Sequence, residues 1–541
     1  GLEWNDNKAQ KTAKDAYDRL FNLKWTPPGR GLWMMGTKFV EERTGAALFN
    51  CAFRSTQDLS SKGGYIFAWI MDALMVGVGV GFDTKGAGTL NIKEPVYTND
   101  TLVIDDSREG WVDSVHLLLD GFFLGGKVPK FDYSAIRPEG APILGFGGTS
   151  SGAGPLIELH NNLKELFADK IGEQITSVDI VDVENLIGRC VVAGNVRRSA
   201  ALAIGQYDDF RYLEMKNDQE KLYHHRWGSN NSFNAEVGMD YSWHANQSQT
   251  NGEPGYIWLE NAKAYGRMKD GENYDDIEVM GFNPCVEQSL HNAEMCCLVE
   301  TFPAKHDDYE DYLRTLKCAY LYGKTVTLVN THWQETNAKI NELDTEYSNW
   351  LCVPNSIKMT SIKPSGTVSL LNGSTPGIHF PEDEYYIRRI RFAKSSQILK
   401  TLEKAGYNIE DDKYSPNSSV VEFPVKEPYF TKGKRDVSMW KQLEFVAQYQ
   451  NYWADNAVSV TISFKDSEAD QLLSALEMYE TRLKAVSFLK YEETGYEQAP
   501  YESITKEVYE EMIQKVKPVT KIEDEMGGIG SKFCSNDTCE I

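Results

Sequence analysis

The 541-residue chain has little cysteine and a deficit of positive charge. Its nine cysteines are an odd number at low density, which argues against a secreted scaffold held by disulfide bonds. A reducing, cytoplasmic setting with a few functional thiols fits this count better. Lysine and arginine number 56 against 79 acidic residues, so the formal net charge is -23. Self-repulsion of this size disfavours broad binding of nucleic acid, and any phosphate ligand should occupy a local pocket.

Long apolar runs, repeats and internal linkers are also missing. The stretch "WIMDALMVGVGVGF" at 69–82 is shorter than the roughly 18–20 residues of a membrane span, and glycines interrupt it. The polar first residues lack the order of a secretory signal. One large domain is therefore expected over residues 1–520. The glycine-rich, charged segment 521–541 predicts a mobile tail.

Short apolar runs without polar alternation predict strands that are buried on both faces, as in a parallel sheet covered by helices. Segment 469–486 keeps apolar residues at helical spacing and predicts one covering helix. These patterns indicate an α/β fold, either an open sheet or a barrel. The runs are 77–83, 190–194, 296–300, 324–329, 359–371, 458–464 and 484–489.

Two glycine-containing stretches imitate nucleotide loops. "GFFLGGKV" at 121–128 almost spells a phosphate loop, but Val128 lacks the hydroxyl that would hold magnesium and the preceding residues look helical. "GVGVG" at 77–81 lacks the spacing of a dinucleotide fingerprint. The histidines and cysteines form no pair at zinc-ligand spacing, so no metal site is predicted.

The richest cluster is "NPCVEQSLHNAEMCC" at 283–297. Glu287 follows Cys285 by two positions, so in an extended loop one substrate could meet a thiol and a base together. Cys296 and Cys297 come shortly after. A metal site would require more histidine, and a cysteine hydrolase would require a histidine base that is not recognisable here. The surplus of thiols favours redox chemistry.

A second thiol pair lies in the tail, where Cys534 and Cys539 have four residues between them. Closing so short a loop costs little entropy, and a mobile dithiol suits thiol-disulfide exchange with a buried disulfide. The alternative is an accidental pair of exposed cysteines.

Several long stretches resemble the large chain of ribonucleotide reductases, most closely the monomeric adenosylcobalamin-dependent (class II) ribonucleoside-triphosphate reductases. The resemblance covers nearly the whole chain. The stretches are "LFNCAF" (48–53), "DSREGWVDSV" (106–115), "IRPEGAPILGFGGTSSGAGPL" (136–156), "NLIGRCVVAGNVRRSAALAIG" (185–205), "NPCVEQSL" (283–290), "SIKPSGTVSLLNGSTPGIHF" (361–380) and "YYIRRIRF" (385–392).

The resemblance implies a ten-stranded α/β barrel with helices outside and a central finger loop that carries the radical cysteine. Cys285 would form the thiyl radical that removes the 3'-hydrogen of the ribose. Glu287 would take the 3'-hydroxyl proton, and Asn283 would hydrogen-bond the sugar. Cys51 and Cys296 would reduce the 2'-carbon and become a disulfide, with Cys297 as the alternative to Cys296.

The resemblance also assigns the tail and two binding loops. Cys534 and Cys539 would restore the thiol pair and be recharged by thioredoxin or a similar reductant. "PSGT" (364–367) matches the loop that holds substrate phosphates, although an ordinary turn before a strand is the alternative. "AGNVRRSA" (193–200) matches the loop that relays effector identity, although its arginines could be a plain surface pair. The residues assigned are Ser365, Gly366 and Thr367 for substrate and Asn195, Arg197 and Arg198 for effector.

The class of reductase follows from what is missing. Class I chains pass the radical through adjacent tyrosines, but Ser487 and Phe488 occupy the aligned positions. The glutamate of "NPCVE" is absent from the glycyl-radical class. The resemblance therefore implies adenosylcobalamin as cofactor, a monomer, ribonucleoside triphosphates as substrates and deoxynucleotides as effectors. A class I large subunit with a separate metal radical subunit is the alternative. Segment 337–353 is shorter than the family's usual helical segment, so the resemblance implies that residues are absent between Ile340 and Asn341.

Overall fold

The protein is described here by a computed structural model. It describes residues 6–143, 149–193, 200–328, 357–365, 368–394, 396, 398–413, 418–491 and 498–519. The predicted site residues that lie outside the described residues are Asn195, Arg197, Arg198, Gly366, Thr367, Cys534 and Cys539, and the junction of Ile340 and Asn341 lies outside them too.

The strands are short and most of them are buried. In chain order they are β1 (Trp25–Thr26), β2 (Cys51–Arg54), β3 (Gly79–Asp83), β4 (Val96–Val103), β5 (Lys127–Asp132), β6 (Ala201–Gln206), β7 (Ser229–Asn234), β8 (Gly255–Ile257), β9 (Gly281–Phe282), β10 (Ser289–Leu290), β11 (Met295–Cys296), β12 (Glu300–Thr301), β13 (Tyr385–Ala393), β14 (Asn408–Asp411), β15 (Ser418–Lys426), β16 (Thr461–Phe464), β17 (Ala485–Lys490) and β18 (Tyr501–Ser503).

One mixed sheet of eight strands dominates the described fold, in the order β11-β2-β3-β6-β7-β8-β17-β16. Strands β2, β3, β6, β7 and β8 run parallel, while β11 and β17 pair antiparallel with their neighbours β2 and β8. β16 is parallel to β17. The sheet therefore has two parallel parts that run in opposite directions. This confirms the α/β prediction, whereas the ten-stranded barrel stays a prediction.

Helices cover this sheet, and the first and last elements of the described chain are also helices. They are α1 (Asp6–Phe21), α2 (Gly29–Met34), α3 (Lys38–Glu42), α4 (Leu59–Lys62), α5 (Tyr65–Met75), α6 (Arg108–Leu124), α7 (Gly154–Ala168), α8 (Ser177–Ala193), α9 (Phe210–Glu214), α10 (Gln219–His224), α11 (Ser242–Asn251), α12 (Leu259–Ala264), α13 (Tyr309–Thr327), α14 (Val368–Leu371), α15 (Ile398–Lys404), α16 (Met439–Tyr452), α17 (Leu472–Tyr479) and α18 (Lys506–Lys515). Within the described ranges, no helix is both long and apolar enough to span a bilayer.

Apolar side chains from both faces of the sheet form the core. The largest cluster packs α5, α6, α7 and α8 over β2 and β3, and a second cluster packs α16 and α17 against β16 and β17. A smaller cluster contains Cys51, Phe53, Phe282 and Cys296, and it lies where the β9–β10 hairpin meets the sheet. The thiols of Cys51 and Cys296 are therefore enclosed by apolar side chains, which exclude water from them.

Besides the large sheet, the described residues form four smaller ones, which are the strand pairs β1–β12 and β9–β10 and two further sheets. Strands β14, β15, β13 and β18 form a four-stranded antiparallel sheet, in which β13 pairs with β15 from Tyr385 to Ala393. β4 and β5 form a parallel pair with a register shift between Tyr97 and Thr101. These elements do not carry the predicted catalytic residues.

Some predicted strands are helical. Segment 190–194 begins inside the last turn of α8, and segment 324–329 begins inside the last turn of α13. Both runs are rich in valine or threonine, but they continue longer segments with helical spacing, and packing of a long helix overrides local β propensity. Segment 359–371 forms no strand among its described residues beyond one bridge, between Ile362 and Val458, and it ends in α14.

The predicted helix at 469–486 is shorter than its pattern. α17 ends at Tyr479, and β17 begins at Ala485. Between them, the buried Lys484 donates hydrogen bonds of 2.7–3.1 Å to four backbone carbonyls, those of residues 265, 266, 455 and 456. These hydrogen bonds hold Lys484 in the interior, so the chain leaves the helix before this residue and enters β17 after it.

The stretch at 121–128, which resembles a phosphate loop in sequence, contains the end of a helix. α6 continues to Leu124, Gly125 adopts a left-handed conformation as its C-cap, and β5 begins at Lys127. A glycine with positive φ is a common way to end a helix. The exclusion of a nucleotide loop from this stretch is therefore confirmed.

Candidate active site

The loop at 283–288 connects the antiparallel strands β9 and β10, in which Phe282 faces Ser289. The Asn283 side-chain carbonyl accepts a 3.0 Å hydrogen bond from the Gln288 amide, and the Val286 amide donates to the Asn283 carbonyl at 2.9 Å. Val286 has a φ of 62°, an uncommon value for a β-branched residue. Asn283 thus closes a tight turn that presents Cys285 and Glu287.

Glycines in β3 let this loop lie directly on the sheet. A Cβ at Gly81 would come within 1.8 Å of the Phe282 carbonyl oxygen, and one at Gly79 would come within 3.2 Å of the Pro284 ring. On the other side, the Ala457 amide donates to the Glu287 carbonyl at 3.1 Å. The backbone of the loop is therefore held from two sides.

The structure brings three thiols together beside this loop. Cys51 on β2 and Cys296 on β11 are direct partners in an antiparallel pair. Such partners have Cα atoms roughly 4.5–5.5 Å apart, inside the roughly 4.4–6.8 Å span that a disulfide bond requires. Cys285 interacts with the Cys51 thiol, and all three cysteines are free thiols. The arrangement can form one disulfide next to a third thiol.

Cys297 directly follows β11, whose last residue is Cys296, and its thiol lies on the side away from Cys51. Successive side chains of a strand point to opposite faces, so Cys297 cannot face Cys51 when Cys296 does. Its thiol instead donates to the Gly323 carbonyl at 3.4 Å and packs against the main core. Burial raises the pKa of Cys297 to about 11. The register thus favours Cys296 as the partner of Cys51.

The pKa values of Cys51 and Cys285 are shifted in opposite directions. Hydrogen bonding from the thiols of Cys285 and Cys296 lowers the pKa of Cys51, although burial opposes this. The same interaction with Cys51, together with burial, raises the pKa of Cys285. Cys285 therefore keeps its S–H bond, and it is half-buried whereas Cys51 and Cys296 are buried. A protonated, reachable thiol is the form from which a hydrogen atom can be removed.

Glu287 is fully buried, and its Oε1 pairs with the Lys363 ammonium at 3.0 Å. Its Oε2 lacks a hydrogen-bond partner among the described residues, and so does the side-chain nitrogen of the buried Asn283, which lies close enough to Cys51 to lower the pKa of that thiol. Burial raises the pKa of Glu287, while Lys363 acts in the opposite direction. Unsatisfied buried polar atoms are costly, so an acceptor and a donor left open beside three thiols indicate a place for a polar substrate.

Ser365 lies two residues beyond Lys363. Its hydroxyl hydrogen-bonds the Glu300 carboxylate, and burial raises the pKa of Glu300. A Cβ at Gly377 would lie 3.3 Å from the backbone of Lys363 and Pro364, so the segment that follows α14 packs closely on this loop. Lys363, which directly precedes the predicted phosphate loop, therefore lies at the thiol site.

Lys363 was not among the residues predicted from the sequence. It lies in the stretch "SIKPSGT", directly before the predicted phosphate loop, where a lysine would be expected to bind phosphate. Its partner Glu287 is 76 positions away, and only the fold brings the two together. Among the described residues, no group of histidine, cysteine, aspartate or glutamate side chains could hold a metal ion.

Comparison with known proteins identifies the class. Residues 84–167 match the B12-dependent ribonucleotide reductase insertion domain, and residues 1–37 match the ribonucleotide reductase alpha domain. A crystal structure of a B12-dependent (class II) ribonucleotide reductase superposes with a TM-score of 0.81 at 33% identity, covering 95% of this chain and 88% of that one. The fold is therefore that of a class II ribonucleotide reductase.

Curated relatives refine this class to a family. The adenosylcobalamin-dependent ribonucleoside-triphosphate reductase of Euglena gracilis is 44% identical over 99% of this chain and 80% of its own length. The enzyme of the same name from Lactobacillus leichmannii is 35% identical over 93% of this chain and 84% of its own. The chain belongs to the adenosylcobalamin-dependent ribonucleoside-triphosphate reductase family.

The positions aligned with the class I tyrosine pair lie on β17. Ser487 pairs with Thr461, and Phe488 is buried in the second core cluster against the Tyr256 ring. Neither side chain carries a phenol that could pass a radical, as the sequence predicts.

Proposed function

We propose that this chain reduces ribonucleoside triphosphates to 2'-deoxyribonucleoside triphosphates by a thiyl radical mechanism that depends on adenosylcobalamin. One observation of this structure carries the proposal. A half-buried thiol, a pair of thiols in disulfide register and a buried carboxylate with one open oxygen share a single enclosed site. Family membership supports the same reaction. Class I chemistry is disfavoured because Ser487 and Phe488 stand where its tyrosine relay would be.

The site fits a radical cofactor on chemical grounds. When bound, adenosylcobalamin supplies the carbon-centred radical that takes a hydrogen atom from a thiol. Cys285 suits this role because its raised pKa keeps the S–H bond, and because it is more exposed than the other two thiols. Of the site residues, Cys285 is the one that would face the cofactor.

Cys285, Glu287 and Asn283 activate the ribose. The Cys285 thiyl radical removes the 3'-hydrogen atom, which restores the S–H bond and leaves a radical on the sugar. The open Oε2 of Glu287 accepts the proton of the 3'-hydroxyl, and the Asn283 side-chain nitrogen donates a hydrogen bond to the sugar. Radical steps need an enclosed site, since water and other reactants would intercept the intermediates.

Cys51 and Cys296 complete the reduction. One thiol of this pair donates the proton with which the 2'-hydroxyl leaves as water, and the other donates a hydrogen atom to C2'. As the disulfide forms, the remaining electron passes to the 3'-carbon and Glu287 returns its proton to the 3'-oxygen. Cys285 then returns its hydrogen atom to C3', which completes the product and regenerates the thiyl radical. Cys534 and Cys539 then exchange with that disulfide, and thioredoxin or a similar dithiol reduces them in turn. A lowered pKa at Cys51 favours this exchange because the more acidic thiol is the better leaving group when a tail thiolate attacks Cys296.

Binding and regulation extend the proposal. Ser365, Gly366 and Thr367 hold the substrate phosphates, while deoxynucleotide effectors act through Asn195, Arg197 and Arg198. We infer a single reductase domain over residues 1–520, with an N-terminal helical part, a ten-stranded barrel and a redox-active tail at 521–541, working as a monomer. The mixed eight-stranded sheet and the position of the 283–288 loop on it support this architecture.

Turnover of the purified chain tests the proposal. With adenosylcobalamin, a ribonucleoside triphosphate and a dithiol, the chain alone should form the deoxynucleotide. Replacement of Cys285 by serine should abolish turnover and leave nucleotide affinity unchanged. Activity that appears only with a second, metal-containing subunit would contradict the proposal, and so would full activity of the serine variant.

A further inference from the structure

The carboxylate of Glu287 is held by a residue that the reaction scheme above does not use. Glu287 has no exposed surface, and the Lys363 ammonium lies 3.0 Å from its Oε1. The Lys363 side chain keeps 22% exposure, so it reaches inward from the edge of the site. Only one of the two carboxylate oxygens is engaged, and Oε2 stays open.

An enclosed carboxylate without a cation would bind a proton. Burial disfavours the charged form of an acid, and a nearby positive charge favours it. A protonated Glu287 could not accept the proton of a substrate hydroxyl. Burial raises the pKa of Glu287 and Lys363 opposes this rise, so the lysine controls how much of the base is available.

Other groups also face this ion pair. Cys51, Cys285 and Cys296 lie beside both members of the pair, and Glu300 lies near Lys363 next to Ser365. Burial alone would lower the pKa of Lys363, but Glu287 and the three thiols raise it. The lysine therefore stays charged at neutral pH. The neighbouring Lys358 belongs to a different ion pair, in which its ammonium lies 2.5 Å from the Asp276 carboxylate.

We propose that Lys363 is a positioning residue that keeps Glu287 ionised and turned so that Oε2 remains open to the substrate hydroxyl. This inference rests on the proposed function, in which Glu287 is the base. The rival role for Lys363 is a direct contact with substrate phosphate, since it precedes Ser365 by two residues. The two roles differ in which kinetic constant they control.

Kinetics of Lys363→Met and Lys363→Arg separate these roles. If Lys363 acts on Glu287, the methionine variant should lose kcat about tenfold or more at pH 7, and the loss should shrink as pH rises. KM should stay within about twofold, and arginine should restore most of kcat. A variant with unchanged kcat and a raised KM would assign Lys363 to phosphate and overturn the proposal.

A double variant and a matched control complete the kinetic test. Because Lys363 acts through Glu287, adding Lys363→Met to Glu287→Gln should cost little more than Glu287→Gln alone. Additive losses would contradict the proposal. Lys216→Met removes a lysine from another partly buried ion pair, 2.7 Å from Glu253, and should leave the pH profile of kcat unchanged.

Infrared difference spectra provide a measurement that needs no turnover, and its first comparison needs no methionine variant. Subtracting the spectrum of Glu287→Gln from that of the unmodified protein isolates the Glu287 carboxyl group. At pH 7 the difference should show an ionised carboxylate, and in Lys363→Met a protonated acid. A protonated Glu287 in the unmodified protein would overturn the inference. Failure of turnover with adenosylcobalamin would instead overturn the proposed function and leave this spectroscopic result standing.

Discussion

Gly81→Ala tests whether the 283–288 loop depends on its contact with the sheet. The new Cβ would lie 1.8 Å from the Phe282 carbonyl oxygen, whereas ordinary carbon–oxygen contacts are at about 3.3–3.6 Å. The carbonyl must therefore retreat by about 1.5 Å or more. Both contacting groups are backbone or attached directly to it, so no side-chain rotation can relieve the clash.

The shift would reach the reacting groups directly. Phe282 immediately precedes Asn283, and Cys285 and Glu287 follow in the same turn. A misplacement of about 1 Å can cost about 100-fold in rate, and overpacking of a core costs about 1–3 kcal/mol of stability. We expect kcat to fall about 100-fold and the free energy of unfolding to fall by an amount in that range.

Steady-state turnover and urea unfolding measure the two effects. Gly154→Ala is the matched control, because a Cβ at the start of α7 would meet nothing within 4 Å. It should leave kcat unchanged and stability equal or slightly higher, since alanine restricts the unfolded chain. If Gly81→Ala keeps the kcat and stability of the unmodified protein, the loop does not rest on β3 as described.

Further predictions concern the second thiol and a buried acid. Cys296→Ser should abolish multiple turnover, whereas Cys297→Ser should keep turnover within about threefold, because only Cys296 faces the partner strand; the reverse result would exchange their roles. Glu184 is fully buried with no partner for either carboxylate oxygen among the described residues, and burial raises its pKa well above the usual value. Because the folded state then binds the proton more tightly, stability should fall by about 1.4 kcal/mol per pH unit as pH rises from about 4.5 towards that raised pKa. Urea unfolding of Glu184→Gln should show a flatter dependence and higher stability at neutral pH than the unmodified protein, while the exposed-site variant Glu310→Gln should follow the unmodified protein. Equal slopes in all three proteins would refute this account of Glu184.

Sequence patterns predicted the strands of the large sheet where the apolar runs were short and isolated. The run at 77–83 contains β3, the run at 458–464 contains β16, and the run at 484–489 covers β17 except for its last residue. For runs that continue a helical pattern the strand prediction was wrong, since residues 190–193 and 324–327 form the last turns of α8 and α13. A short apolar run has no period of its own, so its state depends on the packing of the segment to which it belongs.

Local spacing was enough to associate Cys285 with Glu287, although the prediction assumed an extended loop and the structure has a tight turn with a positive φ at Val286. It could not choose between Cys296 and Cys297, since adjacent residues of a strand differ only in the face they occupy. The pairing of β11 with β2 made that choice by placing Cys296 opposite Cys51. Strand register depends on contacts between distant segments, which no local pattern contains.

The sequence by itself determined the composition of the site, which is a surplus of thiols beside one carboxylate. It also showed that the chain is too acidic to bind phosphate over a broad surface, and that no tyrosine occupies the relay positions on β17. The tertiary structure alone decided which of these groups act together. It enclosed Glu287, left its Oε2 open and brought Lys363 to its other oxygen across 76 positions of chain. Side-chain chemistry is a property of each residue, but acidity and reach depend on burial and on neighbours that only folding supplies.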